Sequence, residues 1–176
     1  MKAKSAALIL LAAVLLLVSL SPAFAEEDTA IRMDHFTLTL PGSWICDDSS
    51  GPDQLKYFKN QKGSPSGGYF MITQYTDLIT ENNESSVSAF FLGLRSGFQD
   101  SSVDKQEDHK ELMIDGNRSI IINYTALLGG QNLRCCTLCS ISGTNGILIL
   151  YVNSDLSAEE TEKAFDGIVA TIHCTD

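Results

Sequence analysis

The tightest constraint on how this chain folds sits in its second half. There Asp115-Gly116, Gly129-Gly130 and Asn145-Gly146 interrupt long runs of strand-forming residues. Each dipeptide tolerates the positive φ that a two-residue hairpin turn demands. They separate four expected strands, at residues 105–114, 117–128, 131–142 and 147–153. Four successive strands joined by tight turns form an antiparallel meander. The first of them carries Glu107, Asp108, His109, Lys110 and Glu111 in a row. Such a strand belongs at an exposed edge, where its charge discourages pairing with another sheet. Residues 147–152 are apolar on both faces, so that strand is expected centrally, with cover on each side.

Upstream, Phe36, Leu38 and Leu40 alternate with Thr37 and Thr39, the period of a half-buried strand. Pro41-Gly42 ends it, and Trp44 follows. Two more strands are expected at 53–60, with Leu55, Tyr57 and Phe58, and at 69–75, divided by the turn-forming stretch 63–68. The period then changes. Val87, Phe90, Phe91, Leu94 and Phe98 form one stripe of an amphipathic helix, with Ser85 or Ser86 as its cap and Gly97 weakening its end. A last helix starts at Ser157, with Glu160 at capping-box spacing, and buries Phe165, Ile168, Val169 and Ile172. The order of three strands, a helix, four strands and a helix predicts an α+β fold. Its antiparallel sheet has about six to seven strands, flanked by helices on both faces.

Met1-Lys2-Ala3-Lys4, an apolar run to Leu20 and the Ala23-Phe24-Ala25 tripeptide read as an export signal cleaved near Ala25. The run is shorter than the roughly 20 residues that span a bilayer. Residues 26–176 are then one secreted domain with no membrane span, extracellular or periplasmic. Cleavage removes Lys2 and Lys4 but none of the 22 acidic residues, so the net charge moves from −10 to −12. Such a surface is unsuited to nucleic acid.

Five cysteines, Cys46, Cys135, Cys136, Cys139 and Cys174, leave at least one unpaired within the chain. On one strand Cys135 and Cys139 stand roughly 13 Å apart, beyond the reach of about 7 Å for a bridge. Cys135 and Cys136 point to opposite faces, as do Cys136 and Cys139. Any intrachain disulfide must therefore use Cys46 or Cys174, with each other or with the strand. The Cys136-x-x-Cys139 spacing lies mid-strand, unlike a metal or redox pair at a turn. Neither metal nor cofactor is expected, and redox sensing through these thiols is the weakest of three functional readings.

No nucleophile elbow, zinc-protease helix, Ser-x-x-Lys or phosphate-binding loop occurs, so no catalytic residue is assigned. His35, His109 and His173 are scattered, and Asp47-Asp48 with Asp53 lacks the spaced ligands of a calcium loop. Asn83, Asn117 and Asn123 open glycosylation-type triplets, read as chance.

The stretch Phe36-Thr37-Leu38-Thr39-Leu40-Pro41-Gly42-Ser43-Trp44 resembles the opening strand and "LPxxW" turn of the PsbP-like superfamily. The Asp115-Gly116 turn and the closing helix from Glu162 to Ile172 are similar as well, and the element order agrees over residues 34–172. The resemblance implies an α-β-α sandwich. Members include an extrinsic photosystem II subunit, a nuclear Ran-binding factor and uncharacterised secreted bacterial proteins, and the export signal directs this chain to the third group. The expected function is non-enzymatic binding of a protein or cell-envelope component. The alternative is a small hydrolase or ligand carrier with a site near Trp44, His35 and Asp47.

Overall fold

Asp115 (φ 47°) and Gly116 (φ 81°) both adopt left-handed backbone, as a type I′ hairpin turn requires. A computed structural model describes residues 27–47, 51–64, 66–100, 103–128 and 130–175. The expected signal segment, Asp48, Pro65 and Gly129 lie outside them. The strands are β1 (Thr29–Arg32), β2 (Phe36–Leu40), β3 (Ile45–Cys46), β4 (Gln54–Phe58), β5 (Tyr69–Tyr75), β6 (Val103–Ile114), β7 (Asn117–Leu128), β8 (Gln131–Ser142), β9 (Asn145–Val152) and β10 (His173–Cys174). The helices are α1 (Glu84–Asp100) and α2 (Ala158–Val169).

Seven strands form one antiparallel sheet in the order β3-β4-β5-β9-β8-β7-β6. The meander from β6 to β9 forms as expected. The charged β6 is an edge, with Asp108 to Glu111 exposed. The doubly apolar β9 is the central strand.

Two strand expectations need correction. Phe36–Leu40 does not join the large sheet; it is the middle strand of a second sheet, β1-β2-β10. Its partners are a four-residue and a two-residue strand, too short to carry a readable period. The third hairpin turn is Gly143-Thr144, with Gly143 at φ 61°, while Asn145 and Gly146 already pair with Ser142 and Ile141. Gly146 serves packing instead. A Cβ there would lie 2.5 Å from Leu78 Cδ2 and 3.0 Å from the Ser140 carbonyl oxygen.

The cap of α1 is also different. Asn83 Oδ1 accepts the Ser86 N–H at 2.9 Å, and the Asn83 carbonyl accepts the Val87 N–H at 3.1 Å. Asn83 is therefore the capping residue, and the two serines fall inside the first turn. In α2 the Ser157–Glu160 capping box forms as its spacing predicts.

Alternate residues of β8 enter two apolar clusters. Cys136 and Leu138 pack with Phe165, Ile168 and Val169 of α2 and with Ile31, Phe36, Leu38 and Leu40 of the small sheet. Cys135, Cys139 and Ile141 pack with Val87 and Phe91 of α1. The side chain of Phe98 lies outside the described residues.

Candidate functional site

The two clusters are unequally covered, and the reason is width. A seven-stranded sheet is about 29 Å across at 4.8 Å per strand, whereas a helix is about 10 Å wide. The α2 cluster also takes in the small sheet. Helix α1 packs against β6 and β7 and reaches only the margin of the β5–β9 half, through Phe90 and Leu94. There Tyr69, Met71 and Thr73 of β5 and Leu148 and Leu150 of β9 are only half-buried, and Tyr75 is 40% exposed. Their neighbours on the reverse face, Phe70, Ile72, Ile147 and Ile149, are completely buried. Register sets Met71 opposite Leu150 and Thr73 opposite Leu148, so the half-open residues form continuous rows.

Where this strip meets α1, Tyr75, Leu78, Phe90, Leu94, Cys139 and Leu148 line a half-open apolar cavity of about 230 Å³. Phe90 and Leu94 come from the stripe that the helical period identifies as core, and Leu92 beside them is 62% exposed. The lining holds no carboxylate, histidine, lysine or arginine, and burial pushes the Cys139 thiol up to about 12. Such a surface gains free energy by covering apolar area, at about 25 cal/mol per Å².

The alternative site is not assembled. Trp44 sits at the start of β5, where its indole N–H donates to the Pro41 carbonyl at 3.2 Å. Its ring meets Phe70 and Tyr151 edge-on, each at 6.5 Å, with the Lys59 ammonium 5.8 Å from its centroid. A Cβ at Gly68 (φ 138°) would come within 2.7 Å of the indole, so this turn exists to pack Trp44. His35 sits at the other end of the strand, its Nε2 3.1 Å from Asn145 Nδ2. Asp34 beside it approaches Gln74. Six strand steps of about 3.3 Å place the two ends roughly 20 Å apart. Asp47 pairs with Lys62 at 3.1 Å. His109 lies exposed on β6, and His173 pairs with Asp115. Among the described residues no group of three or more His, Cys, Asp or Glu is placed to hold a metal ion.

All five cysteines are free thiols. Cys46 and Cys174 lie in different sheets, Cys46 exposed and Cys174 half-buried. Burial is the main cause that raises Cys135 to about 11 and Cys136 to about 12, like Cys139. The thiolate is the reactive form. A maleimide should therefore modify Cys46 in the native protein about a hundredfold faster than Cys135, Cys136 or Cys139. Peptide mapping before and after denaturation measures this, and rapid native labelling of any of the three would show that the sheet opens there.

The β9 part of the half-open surface was present in the sequence as a strand apolar on both faces, residues 147–152. That pattern announces a need for cover without saying whether the chain itself supplies it. Among the described residues no helix is long and apolar enough to cross a membrane.

No family model matches the chain, and no curated protein does. Solved structures do match. Cyanobacterial PsbP (CyanoP) from Synechocystis sp. PCC 6803 superposes with a TM-score of 0.60 at 10% identity, covering 88% of this chain and 96% of that one. LpqN, involved in cell envelope biogenesis of Mycobacterium tuberculosis, gives 0.58 at 11% identity, covering 85% and 91%. A protein from Bacteroides thetaiotaomicron VPI-5482 gives 0.53 at 14% identity, covering 87% of this chain and 50% of that one.

Proposed function

From a PsbP-like fold, we propose that this chain is a secreted, non-enzymatic domain that binds a protein or cell-envelope component. The domain comprises residues 26–176, released by cleavage near Ala25 and built as an α-β-α sandwich. The observation that carries the binding role is the half-covered apolar strip on β5 and β9, with the cavity beside α1. Exposed apolar area of this kind costs solubility unless a partner covers it. The export-type leader, the acidic balance of the chain and the envelope role of LpqN support the location. If the protein forms a disulfide, Cys46 or Cys174 takes part.

The test places a photocrosslinking residue at Tyr75, in the strip, and separately at Met113, which is 61% exposed and belongs to neither core cluster. Irradiation in the native envelope should give a discrete adduct from position 75 and none from position 113. Equal adducts from both positions, or none from position 75, would overturn the reading.

A further inference from the structure

The small sheet carries a second surface made of different residues. Strand alternation turns Ile31, Phe36, Leu38 and Leu40 into the core, so Arg32 and Thr37 face the other way, and His173 opposite Thr37 faces with them. Register aligns these three in one transverse row: Arg32 opposes Thr37 across β1 and β2, and Thr37 opposes His173 across β2 and β10. Opposed residues stand about 5 Å apart at Cβ. Arg32 and His173 thus bracket Thr37 across roughly 10 Å, the sum of two such steps.

The row lies in a concavity of about 580 Å³. None of the described residues lining it is an acid, although acids outnumber Lys and Arg by 22 to 12 in the chain. Arg32 forms no ion pair among the described residues, and the Thr37 hydroxyl makes no hydrogen bond among them. The neighbouring Thr171 hydroxyl is already committed, accepting the Thr39 N–H at 2.9 Å. Asp115 Oδ2 lies 3.3 Å from His173 Nδ1 and accepts the Cys174 N–H at 3.0 Å, so it holds the imidazole from behind.

From this row we infer that the outer face of the small sheet binds an oxyanion, the carboxylate or phosphate group of a ligand. The Arg32 guanidinium presents its planar fork to two oxygens of the group. The Thr37 hydroxyl donates beside it, and the His173 ring closes the far side. The described residues lining the concavity include no carboxylate to hold a cation, whereas the Arg32 guanidinium and the Thr37 hydroxyl offer donors to an anion.

The test uses amide spectra of the ¹⁵N-labelled protein, titrated with inorganic phosphate and, separately, with acetate, chloride holding the ionic strength constant. Saturable shifts confined to Arg32, Thr37 and His173 are expected with at least one anion, and the anion that gives them separates a phosphate-bearing from a carboxylate-bearing ligand. Arg32→Gln should weaken binding about tenfold, the equivalent of losing one charge-assisted hydrogen bond, and Thr37→Val about threefold. Both changes are on the outer face, so the spectrum elsewhere reports that the fold is intact. Absence of saturable shifts, or an unchanged curve in Arg32→Gln, would overturn the site. The Tyr75 adduct is independent of Arg32, so either proposal can fail alone.

Discussion

Replacing Phe165 by alanine is expected to remove about 3–5 kcal/mol of unfolding free energy, the usual cost of deleting a buried aromatic ring. Phe165 is 1% exposed and stacks on Tyr151, with centroids 6.0 Å apart and planes 10° from parallel. Tyr151 in turn receives the edge of Trp44 at 6.5 Å. A single column of rings therefore ties α2 to the central strand β9 and to the turn after β2. Because the ring is shared between two sheets and a helix, the site cannot collapse from one side, which places the cost at the upper end. A domain of this size has about 5–15 kcal/mol in total. In urea the midpoint should fall by about 1–3 M with an unchanged slope. Phe165→Leu, which keeps most of the volume, should cost under about 1.5 kcal/mol. A loss below about 1 kcal/mol for the alanine variant would mean that α2 is not anchored through this column.

The second large effect is an asymmetry. The Arg134 side chain on β8 is only 7% exposed, and its Nε and Nη2 both donate to Glu162 Oε1 on α2. Glu162→Ala leaves a buried guanidinium without that acceptor and should cost about 2–3 kcal/mol, discounted because the Glu162 carboxylate is itself 36% exposed. Arg134→Met removes the charge and keeps the long apolar stem, so its cost should stay within about 1 kcal/mol. Thermal or urea unfolding of both variants reads the order directly. If Arg134→Met proved the more damaging, the pair would be contributing net attraction rather than merely satisfying a buried charge.

What could be read before any coordinates were in hand was governed by rules that act over a few residues. Turn dipeptides with positive φ placed β6 to β8 in sequence, a row of charges marked β6 as an edge, two-sided apolarity put β9 at the centre, and Ser157 with Glu160 opened α2. Where two short-range solutions competed, the residues did not choose between them. Asn145-Gly146 makes as good a turn as Gly143-Thr144 until Leu78 packs against Gly146. Likewise Ser85 and Ser86 read as caps from the sequence, and only the helix phase brings Asn83 to that position.

The candidate sites depended on distance and coverage, and neither is a local property. Trp44 and His35 are close along the chain but occupy opposite ends of β5, because β2 crosses over in a separate sheet. Arg32, Thr37 and His173 are aligned only by the pairing of β1, β2 and β10, which joins the two ends of the described chain.

The residue pattern alone determined the meander, its edge and its centre, since hairpin geometry and side-chain alternation are imposed by neighbours in the chain. Tertiary structure decided how strands divide between two sheets and how far one helix reaches across seven of them. A strand records that its two faces are apolar, but the area left uncovered is set by the width of what packs on it.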